Sequence, residues 1–173
     1  MNVYKNPIKT EWEDILKRPT ASYQDIEPIV SDVFKNIKAN GDVAISHYTE
    51  KFDGVSLNEF KVSVKEIENA KQLVSPELQQ AIIQAKDQIA AFHRAQVTPK
   101  VSVENIEGVH CWQEKRPIEK VGIYIPGGSA PLFSTILMLA IPAQIAGCKE
   151  IVLCTPPDKS GVIHPAILFA ASL

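Results

Sequence analysis

The stretch VGIYIPGGSAPLFSTILMLAIPAQIAGCKEIVLCTPP, from Val121 to Pro157, constrains the fold more than any other part of the chain. Val121 to Ile125 is a short apolar run of the kind that forms buried parallel strands, and Pro126, Gly127 and Gly128 end it abruptly. Ser134 or Thr135 is expected to start a helix, and the apolar residues that follow, Ile136 to Ala146, leave almost no polar face. Pro142 lies inside that helix and removes the bond to the carbonyl of Met138, which predicts a kink. Gly147 is placed as the terminator, and EIVLCTPP supplies a second strand, so strand, helix and strand make one right-handed crossover. HPAILFAASL then begins a further helix.

Two parallel strands with one all-apolar crossover helix cannot hide their own faces, because parallel sheets are normally covered on both sides. The pattern therefore predicts an α/β chain whose C-terminal section is truncated, part of a longer polypeptide.

A glycine-rich turn between strand and helix lets backbone N–H groups approach a phosphate. PGGSAPLFS matches neither the G-x-G-x-x-G fingerprint nor the P-loop, and no acidic ribose partner can be assigned. On spacing alone the turn is a nucleotide cradle or a plain structural turn in which Gly127 and Gly128 supply positive φ.

Upstream, residues 1–58 read as a helical section with an extended lead-in. Ser22 and Asp25 resemble a capping box, and Ile26, Ile29, Val30, Val33, Phe34 and Ile37 recur at helical spacing until Asn40 and Gly41. Asp42 caps a second helix that Asp53 and Gly54 stop. EFKVSV at 59–64 alternates like a strand, and a helical stretch follows from Lys65. Ser75 and Pro76 open the longest helix, with a stripe at Leu78, Ile82, Ala85, Ile89 and Phe92 reaching to about Gln96. Between Thr98 and Pro117 two strands joined at Glu107 and Gly108 form a hairpin. The boundary is placed at 116/117, giving helices plus hairpin in 1–116 and the βαβ section in 117–173.

The totals exclude several classes. With 45% hydrophobic residues among 173, the chain can bury a core. Its 18 basic and 20 acidic side chains give a net charge of -2, so no positive field is available for nucleic acid. The N-terminal MNVYKNPIKTEWED is no export signal, and the apolar window from Ala130 to Cys148 is too interrupted for a membrane span. No membrane partner is expected. Cys111, Cys148 and Cys154 are odd in number and lack metal spacing, which suits reduced thiols in a cytoplasmic protein.

The segment EKVGIYIPGGSAPLFSTILMLAIPAQIAGCKEIVLCTPP resembles histidinol dehydrogenases in its Y-I-P-G-G turn, its A-I-P-A helix interior, its A-G helix end and its T-P-P after the strand. NGDVAISHYTEKFDG and IAAFHRAQ resemble two earlier segments of that family, in the same order. The resemblance implies an incomplete Rossmann-like parallel sheet. It implies a zinc-dependent enzyme that oxidises L-histidinol through the aldehyde to L-histidine with two NAD, and a homodimer. Tyr124 matches the family tyrosine that contacts NAD, whereas the zinc ligands and a Glu-His acid/base pair are expected beyond Leu173. The chain alone is expected to be inactive, with no catalytic or metal-binding residue of its own.

The four histidines fit that view: His47 and His93 fall on helices, His110 on a strand and His164 at a helix start, with no two at ligand spacing. His110 and Cys111 point to opposite faces of their strand. Two rival readings use the same residues: a non-catalytic small-ligand or phosphate-binding α/β module, and an assembly fragment whose open helix and sheet edge pair with a second copy.

Overall fold

The computed structural model describes residues 3–17, 23–127 and 130–173. The Ser22 end of the expected capping box and Gly128 lie outside the described residues. The chain divides into two compact units, Met1–Ile45 and Ser46–Leu173.

In the first unit Lys9–Glu11 forms a 3-10 turn that runs into α1 (Trp12–Leu16), where an extended lead-in was expected. The turn is closed by the Ile8 N–H donating to Glu11 Oε2 and by the Trp12 indole N–H donating to the Pro7 carbonyl. Helix α2 (Tyr23–Asn40) stops where the sequence predicts, at Gly41 with φ 54°. Its apolar stripe has formed, with Ile26, Ile29, Val30 and Phe34 exposed and Val33 and Ile37 half-buried. Helix α3 (Asp42–Asp53) begins in this unit, continues into the second from Ser46, and ends at Gly54, φ 71°.

The second unit contains the core. Residues 59–63 are not a strand, and Val64 already belongs to helix α4 (Val64–Leu73). Ser63 is the reason: its hydroxyl accepts the Glu66 N–H while the Glu66 carboxylate accepts the Ser63 N–H, a complete capping box. Helix α5 (Pro76–Ala95) begins at the predicted Ser75 cap and proline. Its stripe is buried at Ile82, partly buried at Leu78, Ala85 and Ile89, and exposed at Phe92. Strands β1 (Val101–Ile106) and β2 (Val109–Gln113) form the hairpin, and every strand residue is exposed.

Strands β3 (Lys120–Tyr124) and β4 (Glu150–Cys154) pair in parallel around helix α6 (Phe133–Ala146), the predicted βαβ unit. Neither Ser134 nor Thr135 caps α6; its N-cap is Leu132, with no side-chain hydrogen bond, and the Thr135 N–H reaches the Leu132 carbonyl at 3.1 Å. The helix runs through Pro142 as one element and closes at Gly147, φ 91°, a left-handed cap that favours glycine. Helix α7 (Pro165–Ala171) packs on α6 and α4.

Ile123 and Ile125 of the β3 segment, Ile136, Leu137 and Ile141 of α6, and Ala166, Ile167, Phe169 and Ala170 of α7 share one core cluster with Ile82 of α5. The expectation that α6 is covered on most sides holds only in part, since Met138 and Leu139 remain exposed. No helix of the described chain is long and apolar enough to cross a membrane.

Candidate functional site

In open α/β sheets, ligands settle outside the carboxyl ends of the strands. A cleft of about 240 Å³ occupies that place here, lined by Gly127, Leu132, Pro156, Asp158, His164 and their neighbours. Its walls are proline-rich loops whose hydrogen bonds are mostly local. The Ile125 N–H donates to the Cys154 carbonyl at 2.9 Å, which carries the strand pairing one residue past β3.

Gly127 has no positive φ, contrary to the plain-turn reading. Glycine is required there by space: a Cβ would lie 2.9 Å from Pro156 Cγ, so the two strand ends touch where a side chain would push them apart.

The far wall is the loop 158–162. The Asp158 carboxylate accepts hydrogen bonds from Ser160 Oγ, the Ser160 N–H and the Val162 N–H at 2.6, 2.8 and 3.0 Å. These bonds, the Ser160 hydroxyl foremost, hold the carboxyl below the usual carboxylate range. Next to it His164 caps α7: its Nδ1 accepts the Ala166 N–H at 3.1 Å, which places the ring proton of the neutral tautomer on Nε2. The sequence places His164 at a helix start, and its capping role becomes visible only in three dimensions.

Tyr124, the residue singled out for cofactor contact, is the last residue of β3 and is 64% exposed. It lies across the strands from Cys154 and is not among the residues lining the cleft.

A larger hollow of about 560 Å³, not foreseen from sequence, lies between the end of α5, the feet of the hairpin and α6. Its charged groups are engaged along the rim: Lys115 donates to Thr98 Oγ1, Arg116 pairs with Glu114 at 3.2 Å, and Lys100 sits over the Trp112 ring.

The other histidines have local partners as well. His93 Nδ1 shares a 2.8 Å hydrogen bond with Gln96 Oε1, and His47 meets Tyr48 edge to face. His110 Nε2 is 3.8 Å from Glu104 on the neighbouring strand. All three thiols are free, with Cys111 and Cys154 exposed and Cys148 half-buried. Among the described residues no three His, Cys, Asp or Glu side chains gather closely enough to hold a metal ion.

Comparison with known proteins decides the family. The family model for histidinol dehydrogenase matches residues 16–173. The chain belongs to the histidinol dehydrogenase family. It is 52% identical over all 173 residues to the histidinol dehydrogenase of Bacteroides thetaiotaomicron, of which it covers 40%. Against the Escherichia coli K12 histidinol dehydrogenase it is 50% identical over 160 residues, 92% of this chain and 36% of that protein. The crystal structure of histidinol dehydrogenase from Elizabethkingia anophelis superimposes with a TM-score of 0.88 at 54% identity, over 98% of this chain and 39% of that one. The chain thus spans about 40% of the length of the relatives it matches. Histidinol dehydrogenases are oxidoreductases of histidine biosynthesis, and the mixed helix and strand fold agrees with theirs.

Proposed function

We propose that this chain is the N-terminal portion of a cytoplasmic, homodimeric histidinol dehydrogenase that oxidises L-histidinol to L-histidine with NAD. The observation that carries the reading is family identity of about one half along the whole chain, joined to a parallel β3–β4 pair with a cleft at its carboxyl ends. Residues 117–173 begin the nucleotide-binding domain in this reading, and 1–116 the first domain.

NAD supplies a hydride acceptor when bound. The residues present fit one part of it: Tyr124 offers an exposed aromatic ring and hydroxyl at the end of β3, and the tight Gly127–Pro156 approach keeps the strand ends clear of side chains. The cleft is smaller than the roughly 300 to 1,000 Å³ of ordinary ligand pockets, so most of the dinucleotide would be held by other parts of the enzyme. Among the described residues no donor set fits zinc, and in this reading its ligands lie in the remaining part of the enzyme. What these residues contribute is orientation: a rigid strand end, fixed from below by Ile123 and Ile125, that presents the tyrosine.

The test is a chimera in which this chain replaces the matching segment of the Elizabethkingia anophelis enzyme. The chimera should form NADH in the presence of L-histidinol, and Tyr124→Ala should raise the KM for NAD by about tenfold, the cost of a stacked or hydrogen-bonded contact. A folded chimera that makes no NADH with histidinol would reject the reading. The chain alone should be inactive.

A further inference from the structure

The hollow of about 560 Å³ at the foot of the hairpin falls within the roughly 300 to 1,000 Å³ of ordinary ligand pockets, and the strand-end cleft falls below that range. Its walls all come from the second unit. Helices α5 and α6 pack against each other, and Pro117 lies against the end of α6, its Cγ 3.5 Å from where a Gly147 Cβ would be. The pairing of Val101 with Gln113 holds the two hairpin feet together, and His93 Nδ1 meets Gln96 Oε1 at 2.8 Å on the α5 side. The hollow is therefore shaped by this chain's own packing.

Its lining has two chemistries. Val97, Pro117, Pro142, Ile145 and Ala146 make an apolar side, while Lys100, Lys115 and Arg116 are three fixed cations set against one carboxylate, Glu114. That local excess of positive charge stands in a chain whose net charge is -2. The cations are not spent on the two helix ends nearby, because main-chain N–H groups already satisfy the last carbonyls there. Gln96 and Val97 donate to His93 and Arg94 at 3.2 Å, and Gly147 and Cys148 donate to Gln144 and Ala143 at 3.0 Å. Nor do their present partners exhaust them. Lys115 gives one of three N–H donors to Thr98 Oγ1, and Arg116 holds Glu114 by one contact at 3.2 Å with its own side chain 81% exposed.

The geometry points to a small-molecule site in this hollow, separate from the strand-end cleft, that takes a phosphate monoester with an apolar or aromatic body. The head group is chosen by charge: a phosphate monoester carries about -1.5 to -2 at neutral pH and three acceptor oxygens, which match an excess of two cations. The Arg116 fork accepts two of those oxygens side by side, and the Lys100 and Lys115 ammonium groups act as point charges beside it. A carboxylate would bring one charge and leave the excess half matched. The body is chosen by the apolar side, where Val97 and Ile145 offer surface that a bare phosphate ion would leave wet.

Phenyl phosphate, inorganic phosphate and phenol are each titrated into this chain and followed by amide NMR. Phenyl phosphate should shift the amides of Thr98, Lys115 and Arg116 and leave those of Tyr124 and Cys154 in place. It should bind at least about tenfold more tightly than either inorganic phosphate or phenol, since each of these has only half of the matching chemistry. Arg116→Gln and Lys100→Gln change exposed side chains, so the rest of the spectrum should stay that of the parent, and each should weaken phenyl phosphate at least about threefold. Calorimetry on the chimera of the preceding subsection should give the parent affinity within about threefold, whether or not that chimera turns over histidinol. No binding, equal affinity for phosphate and phenyl phosphate, shifts centred on Tyr124, full affinity in Arg116→Gln, or a site lost in the chimera would each overturn the proposal.

Discussion

Gly127 and Pro156 meet so closely at the carboxyl ends of β3 and β4 that a Cβ on the glycine would lie 2.9 Å from the proline Cγ. A proline ring cannot swing aside as a flexible side chain does, so Gly127→Ala must move one of the two loops. The expected cost is about 1–3 kcal/mol, the range for overpacking, read as a lower urea midpoint with unchanged slope. Pro156→Ala in the same chain should recover part of that loss, as a double-mutant cycle would show. Gly122→Ala in the neighbouring part of β3 meets open space and should change stability by less than about 0.5 kcal/mol.

Truncation should cost far more in the core against the sheet's buried face than on its exposed face. Ile136 of α6 is 2% exposed and packs in the cluster with Ile123 and Ile125, so Ile136→Ala should cost about 2–5 kcal/mol. Val152→Ala, on the bare face, should fall within about 0.5 kcal/mol of the parent. Equal destabilisation by the two, measured by urea unfolding, would mean that the bare face is covered in solution.

That asymmetry was legible before the structure, because an apolar helix between two apolar runs leaves too little cover for both sides of a sheet. Caps and glycine stops were legible too: Ser75–Pro76, Asn40–Gly41 and Gly147 each act through local backbone geometry that the residue type fixes. Alternation failed at 59–64, where Phe60, Val62 and Val64 mimic a strand, because no neighbouring strand pairs with the segment and the Ser63–Glu66 box claims its end for a helix. Helix α6 starts at Phe133, one residue before Ser134, because Leu132 closes the first turn through its carbonyl, without a side chain. Of the candidate site, Tyr124 could be placed at its strand end from the pattern alone. The cleft beside it could not, since its walls are proline-rich loops without periodicity, and the Gly127–Pro156 contact joins residues far apart in sequence.

The Ser63–Glu66 box makes a pH prediction. Glu66 Oε2 accepts from Ser63 Oγ at 2.6 Å and from the Ser63 N–H at 2.7 Å, and these bonds lower its pKa below the ordinary glutamate value of 4.5, the hydroxyl contributing most. A carboxyl whose folded pKa is depressed adds stability above its unfolded pKa and loses it as pH falls through the folded value. The start of α4 should therefore hold at neutral pH and loosen only in acid below 4.5. Ser63→Ala should return the Glu66 titration, followed by carboxyl NMR, toward the ordinary value. An unchanged midpoint in that variant would assign the shift to another source.

Asp158 extends the same reasoning to the wall of the cleft. Its carboxylate gathers the Ser160 hydroxyl and the Ser160 and Val162 N–H groups, while its own N–H donates to the Val162 carbonyl at 2.9 Å and its carbonyl accepts the Gly161 N–H at 2.9 Å. The loop is thus closed by main-chain bonds at its base and by one ionised side chain at its centre. Because the folded pKa is lowered from 3.8, the side-chain bonds are fully present above that pH and fail as pH drops through the lowered value. Amide exchange at Ser160 and Val162 should therefore be slow at neutral pH and lose protection in acid, after correction for intrinsic rates. Asp158→Ala should abolish the protection at both amides at neutral pH while leaving Gly161, bound to a backbone carbonyl, the better protected of the three. Equal loss at Gly161 would show that the carboxylate, rather than the main chain, sets the shape of the loop and with it the outer wall of the cleft.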